Sequence, residues 1–397
     1  EAAVSVTGSV TASGNATHSS FNPGLKDDIT DTGVVFDGVT TFDSQAFLIP
    51  PSGKTTERNR GRGLFAGGDA PIGFDISSIE IQSQGNAADF GDLTSGRLGA
   101  GAVGSSTRGV ISSGYTQPTN ANSNTIDYVT IATSSNATDF GDNTEARHEL
   151  GSASSETRGL FGGGSSPSFS DVIDYVTIAT TGNAADFGDI TVARRGSATV
   201  SNATRAVCCG GRTPTIQVTM DYVTIASTGN AVDFGDITIR AASCTSTMPA
   251  ASPTRGVLAG GTEPNTDISY ITIATTGNDQ QFGDLSTISN SVGGCSNSTR
   301  AVFRIREAAN VDSIQLATLG NGTNFASGIA GIYGSMLSSP TRGVIGTYTQ
   351  SPATDTGLNT MEYVSFQTGG DFVDFGDLTA TIKQRNGGCS NNHGGLG

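Results

Sequence analysis

The chain has 397 residues, of which 55 are Gly, about twice the usual share of roughly 7%, while charged residues make up 14% against a typical ~25%. Asp and Glu number 36 against 21 Lys and Arg, a net charge of −15, which argues against nucleic acid or an anionic membrane as the main partner. The Gly follows no G-X-Y period, no run approaches the ~18 apolar residues of a membrane-crossing helix, and 3 His with 5 scattered Cys leave little material for a zinc or copper site, so collagen and membrane-spanning helices are excluded and transition-metal proteins disfavoured.

Residues 1–55 differ from the rest. Val4, Val6 and Val10 alternate, and Val34-Val35-Phe36 and Ala46-Phe47-Leu48-Ile49 read as short strands. A segment this short makes a marginal core alone, so it is expected to act as a β arm that docks on another chain or pairs between subunits.

Residues 56–397 are a repeat with a period of about 48 residues. One marker is the phrase Asp-Phe-Gly-Asp and its variants, with the Phe at Phe90, Phe140, Phe187, Phe234, Phe282, Phe325 and Phe375. The other is an Arg in Thr-Arg-Gly or Thr-Arg-Ala, or a variant, at Arg62, Arg108, Arg158, Arg205, Arg255, Arg300 and Arg342. Each unit reads as four strands. In the third unit they are Gly159-Leu160-Phe161 ending in a Gly cluster, the β-branched and aromatic run Ile173 to Ala179, the short segment Asp186 to Ile190, and the small-residue stretch Arg195 to Val200. No segment sustains a helical period, and β-helix turns are shorter than this repeat. Seven four-stranded units predict an all-β, seven-bladed propeller. The first unit opens at Gly61-Arg62-Gly63 without a preceding small-residue strand, and the last ends in one, around Gly387-Gly388-Cys389-Ser390. The C-terminal strand is therefore expected to complete the first blade and close the ring.

Two stretches carry a family resemblance. The order of strands, with Gly pairs at Gly67-Gly68, Gly163-Gly164, Gly210-Gly211 and Gly260-Gly261, resembles the Kelch propeller repeat, with the Asp-Phe-Gly-Asp Phe where Kelch repeats carry Trp. The phrase from Asp174-Tyr175-Val176-Thr177-Ile178-Ala179 through Asn183 to Asp186-Phe187-Gly188-Asp189 resembles repeats of virion structural proteins from marine tailed phages, notably those of cyanobacteria. Leu48-Ile49-Pro50-Pro51-Ser52-Gly53-Lys54 and the residues to Arg58 resemble a phrase near modules of phage tail fibres. The resemblance implies a non-enzymatic protein on the virion exterior, as tail fibre, tail tip or capsid decoration. Residues 1–55 would hold other virion proteins, and the propeller would meet a host-surface glycan or protein. A homo-oligomer is open, and neither membrane insertion nor nucleic acid is expected. The alternatives are an extracellular adhesin or filament subunit of a marine bacterium and, less favoured, a carbohydrate-active enzyme.

No catalytic set is read from the sequence, and no cofactor is expected. Asp-Phe-Gly is a kinase magnesium motif only in company with a Gly-rich loop, a Lys strand and a His-Arg-Asp loop, none of which exists here. Asp pairs such as Asp186 and Asp189 suit turns better than Ca²⁺, which stays open without an Asp-x-Asp-x-Asp-Gly loop. The nearly constant spacing from Phe to Arg suggests a fixed contact: Arg108, Arg158, Arg205, Arg255 and Arg300 would pair with Asp142, Asp189, Asp236 and Asp284, for example Arg158 with Asp142 and Arg205 with Asp189, pinning adjacent blades. Repeat six tests this, since Phe325 precedes Ala326-Ser327 and leaves Arg342 without a matching Asp. Cys244, Cys295 and Cys389 read as small buried thiols near the axis, and Cys208-Cys209 as strand neighbours facing opposite ways. The Asn-x-Ser/Thr sequences at Asn136, Asn202 and Asn297 read as compositional. What does not repeat is loop length between the second and third strand types. The longest loops, Ser112 to Thr125 and Gly346 to Thr360, both contain Tyr-Thr-Gln (Tyr115, Thr116, Gln117; Tyr348, Thr349, Gln350), which suits saccharide or protein contact on one rim of the ring.

Overall fold

In a computed structural model the chain divides into two compact units, Glu1–Arg58 and Asn59–Gly397. The structure describes the strands Thr40–Phe42 and Phe47–Ile49 and, beyond them, residues 61–68, 73–116, 119, 121–238, 249–260, 265–289, 292–305, 310–327, 335–346, 358–382 and 387–390. In the first unit those two strands pair antiparallel, with Thr41 opposite Leu48. The strands expected at Val4–Val10 and at Val34 to Phe36 lie outside the described residues, as do Cys244 and the loop with Tyr348, Thr349 and Gln350.

The second unit is a seven-bladed β-propeller of antiparallel sheets, all β among the described residues. Blade 3 shows the common plan. Its strands a (Gly151–Ser154), b (Arg158–Gly162), c (Val172–Thr177) and d (Ala185–Asp189) lie in that order across the sheet. The small-residue strand starts at Ala198, so Arg195 to Ser197 belong to the crossover between blades rather than to the strand. The a strands of neighbouring blades touch around the axis, for instance through Ser152 Oγ donating to the Ala102 carbonyl at 3.1 Å. Small side chains at Gly151, Ala153 and their counterparts are what lets seven backbones converge there. Cys295, on such a strand, is buried, and burial pushes its thiol up to about 12.

Strand alternation explains the core. Leu160 faces the junction with blade 4 and Phe161 the junction with blade 2. Each junction holds its own apolar cluster, so every sheet is buried on both faces. The outer strands are covered by backbone. Gly182 N–H donates to the Phe140 carbonyl (2.8 Å), Ala184 N–H to the Asp142 carbonyl (2.8 Å), and the Asp142 N–H reaches Asn183 Oδ1 (3.1 Å). The c–d turn of each blade thus caps the d strand of the blade before it, which blunts an edge that would otherwise invite pairing. That is why Gly-Asn and Asp-Phe-Gly-Asp recur together.

The ring closes as expected. Gly387–Ser390 pairs with Arg62–Ala66, Leu64 opposite Cys389, in one sheet with Asp75–Glu80 and Ala88–Asp92. The closing ladder has four residue pairs. At roughly 0.5–1.5 kcal/mol net per hydrogen bond, deleting residues 383–397 is expected to cost about 2–6 kcal/mol and bare an aggregation-prone edge. Urea unfolding with light scattering checks this; an unchanged midpoint in a monodisperse sample would show that the strand does not close the ring.

Candidate ligand-binding face

Antiparallel order puts the a–b and c–d turns on one rim and the b–c loops with the d–a crossovers on the other. The first rim repeats one contact in most blades; in blade 1, Arg62 pairs with Glu80 at 2.8 Å and still reaches the Ile131 carbonyl. Arg108, Arg158, Arg205 and Arg255 lie over Tyr128, Tyr175, Tyr222 and Tyr270, with the guanidinium carbon 4.2–4.7 Å from each ring centre. Each also donates to a carbonyl of the next blade: Ile178, Ile225, Ile273 and Leu316, at 2.8–3.1 Å. The expected partners are therefore corrected. Arg158 does not pair with Asp142, nor Arg205 with Asp189; the inter-blade contact exists, but a backbone carbonyl replaces the carboxylate. Asp142, Asp189, Asp236 and Asp284 instead serve through backbone groups, their N–H reaching Asn183, Asn230, Asn278 and Asn321. Arg342, with no matching Asp, still lies over Tyr363 and reaches the Ile81 carbonyl at 3.3 Å. In blade 6, Ser313 stands where blades 2 to 5 and 7 have Tyr (blade 1 has Ser78), and Phe325 is half-buried at the edge of its apolar cluster and lies under Arg300 at 4.9 Å.

The second rim holds residues that sequence reasoning missed. On three successive crossovers, Arg97, Arg147 and Arg194 are fully buried and pair with Asp127, Asp174 and Asp221 of the next blade. Arg147 Nη2 lies 2.8 Å from Asp174 Oδ2; its other bonds go to the Val172 and Phe161 carbonyls and Ser170 Oγ, while Thr144 Oγ1 donates to Asp174 at 2.7 Å. Burial pushes the Arg147 guanidinium below its ordinary value, and burial pushes the Asp174 carboxyl up despite Arg147 beside it. The signal was present: an Arg seven places after Phe90, Phe140 and Phe187, and an Asp before each of Tyr128, Tyr175 and Tyr222.

Blade 2 breaks the plan on this rim. Its b and c strands run long, Arg108–Thr116 and Ala121–Thr130, and Arg97–Leu98 adds a short strand against Tyr115 and Thr116. At its base, Asn143 occupies a buried place that Leu93, Ile190, Ile237, Leu285 and Leu378 fill in other repeats. Its amide donates to the hydroxyls of Ser112 and Ser113, both fully buried. Ser113 has φ 59°, a left-handed conformation, where the ladder shifts register. This bulge sets the direction of the hairpin that carries Tyr115. Tyr115 is half-buried and meets His148 edge-on at 5.6 Å. His148 Nδ1 is 2.8 Å from Asn122 Oδ1, and Asn122 Nδ2 donates to the Ser165 carbonyl (3.1 Å). Of the sequence-predicted site residues, Tyr115 and Thr116 are thus placed together; Gln117, like Tyr348, Thr349 and Gln350, lies outside the described residues. Thr116 Oγ1 bonds within its own hairpin, to the Ala121 carbonyl.

Beyond His148 the network continues. Glu149 Oε2 is 3.4 Å from Arg195 Nη1, Arg195 lies 5.9 Å over Phe169, and Arg195 and Arg212 exchange backbone hydrogen bonds (3.0 and 2.8 Å). Toward the outer strands the sign of the charge reverses: burial, with Asp171, Asp186 and Glu145 nearby, pushes Asp189 up. Asp186 Oδ1 accepts from the Gly188 N–H (2.9 Å), a turn role, and no group of three or more His, Cys, Asp or Glu is placed to hold a metal ion among the described residues. Cys208 is half-buried and Cys209 buried, so the two neighbours do face opposite ways. The fold and this face define a β-propeller with one irregular, built rim. Neither a protein-family model nor a curated protein matches the chain.

Proposed function

We propose that this chain is a non-enzymatic binding and structural component on the exterior of a tailed-phage particle, attaching to the host surface through the irregular rim and to other virion proteins through residues 1–55. The observation that carries the binding role is the blade 2 hairpin. A propeller needs only Leu or Ile at the Asn143 place; burying an amide and two hydroxyls there gives up apolar burial, and what it secures is the orientation of Tyr115. A half-buried Tyr edged by His148 and the Asn122 amide offers an apolar ring face and hydrogen-bonding groups together, the combination that sugars and protein loops use. The virion placement rests on the resemblance of the Asp174–Asp189 phrase to phage repeats.

Two measurements test the two halves. Immunogold labelling of purified particles is expected to decorate the tail or capsid; label confined to bacterial filaments would favour the adhesin reading. Tyr115→Ala is expected to lower binding to host cells by about tenfold or more, with the unfolding midpoint little changed. Undiminished binding would remove the hairpin from the site.

A further inference from the structure

Building on the host-attachment reading, we infer that the axis-facing part of this rim recognises an acidic sugar, with its anionic group held by Arg195 and Arg212 and its ring against Phe169 and Tyr115. The chain carries a net charge of −15, so an exposed positive site on it is a departure from its background. Arg212 is exposed and has no acidic partner among the described residues. Its backbone is locked to that of Arg195 by two hydrogen bonds, which places two guanidinium-bearing residues side by side on a crossover and the neighbouring loop. Arg195 shares its charge with Glu149 at 3.4 Å and is half-buried, and its Nε is buried without a hydrogen-bond partner. Together they leave positive charge in excess over Glu149. A forked guanidinium suits a carboxylate or phosphate, whose oxygens accept paired N–H bonds.

The surroundings select what carries the anion. Phe169 and Tyr115 are half-buried rings, and the short hairpin Ser165–Phe169 and Asn122 supply neutral hydroxyl, carbonyl and amide groups. Rings with neutral hydrogen-bonding groups fit a saccharide. On the outer side Glu145, Asp171, Asp186 and Asp189 repel an anion, so the ligand's charge has one favoured end, toward the axis.

The test is a matched glycan panel on the full chain: an oligogalacturonate and its carboxyl-reduced neutral form, and a phosphorylated oligomannose and its dephosphorylated form. The acidic member of at least one pair is expected to bind about tenfold more tightly than its neutral twin, with the difference shrinking as salt rises from about 50 mM to about 500 mM. Arg212→Ala, at an exposed position, is expected to erase that difference with an unchanged unfolding midpoint. Tyr115→Ala is expected to weaken both members of the pair. Which pair responds tells carboxylate from phosphate. Equal binding of acidic and neutral twins, or a preference that survives Arg212→Ala, would overturn the inference while leaving glycan attachment standing. No binding to any member of the panel would overturn the acidic-sugar inference, and host-cell adsorption lost in Tyr115→Ala would then show that attachment itself stands on another ligand.

Discussion

Arg147→Met is expected to destabilise the propeller by about 3–5 kcal/mol at neutral pH, the usual cost of stranding one member of a buried ion pair. Asp174 would keep Thr144 as a donor but lose the guanidinium at 2.8 Å, with no solvent reaching it. The pH dependence has a definite sign. Burial already raises the Asp174 carboxyl above its ordinary 3.8 in the folded state, against the opposing pull of Arg147. A raised acid favours folding in its protonated form, so its contribution is full below the unfolded value and is lost as pH rises through the folded one. Removing Arg147 raises that folded value further. The gap in stability between wild type and Arg147→Met is therefore expected to be widest near neutral pH and to narrow on acidification. Urea midpoints between about pH 4 and pH 8 check this; a gap independent of pH would mean that lost packing, not the stranded carboxylate, sets the cost. The double variant Arg147→Met/Asp174→Leu is expected to recover much of the loss.

Gly188→Ala is expected to cost about 2–5 kcal/mol, combining backbone strain with overpacking. Gly188 has φ 140°, and a Cβ there would sit 2.5 Å from the carbonyl carbon and oxygen of Gly229 in the next blade. The obstacle is backbone, held by the Gly229 N–H bond to the Phe187 carbonyl at 2.7 Å, so it cannot turn aside as a side chain would. Gly229→Ala is the control. It has φ 152° but open space around its Cβ position, so it is expected to carry only the conformational part. Guanidinium unfolding of both variants decides the matter; equal losses would show that the close approach of blades is not what requires Gly188. Repeat six shows how the chain accommodates a Cβ at this place. There Ala326 faces a Gly369-Gly370-Asp371 turn, the bond from Gly370 N–H to the Phe325 carbonyl lengthens to 3.1 Å, and Phe325 is half-buried where the other repeats bury their Phe.

Much of this architecture was legible because repetition is a property of sequence. Phe90 through Phe375 count the blades, the alternation in Gly159-Leu160-Phe161 marks a strand buried on both faces, and the missing first strand with its surplus at Gly387–Ser390 announces the closure. The partner of the repeated Arg was not legible. A constant spacing shows that Arg158 meets something fixed, but a carboxylate side chain and a backbone carbonyl repeat with the same period. Only the lateral position of blade 4 made the Ile225 carbonyl the acceptor. The buried Arg97, Arg147 and Arg194 were not legible for a related reason, since among the described residues they occur on three crossovers and so fall outside the sevenfold pattern.

The site divides in the same way. The sequence alone determined that function should be sought where the copies differ, and it located one such place at Tyr115. Tertiary structure decided what surrounds it. His148, Glu149, Arg195, Phe169 and Arg212 come from crossovers and loops of three blades, each irregular by itself and unremarkable in the chain. They form one surface because ring closure stacks adjacent blades within hydrogen-bonding distance of one another. Local propensity and spacing describe a single blade, whereas the charge and shape of a rim arise from the contact between blades.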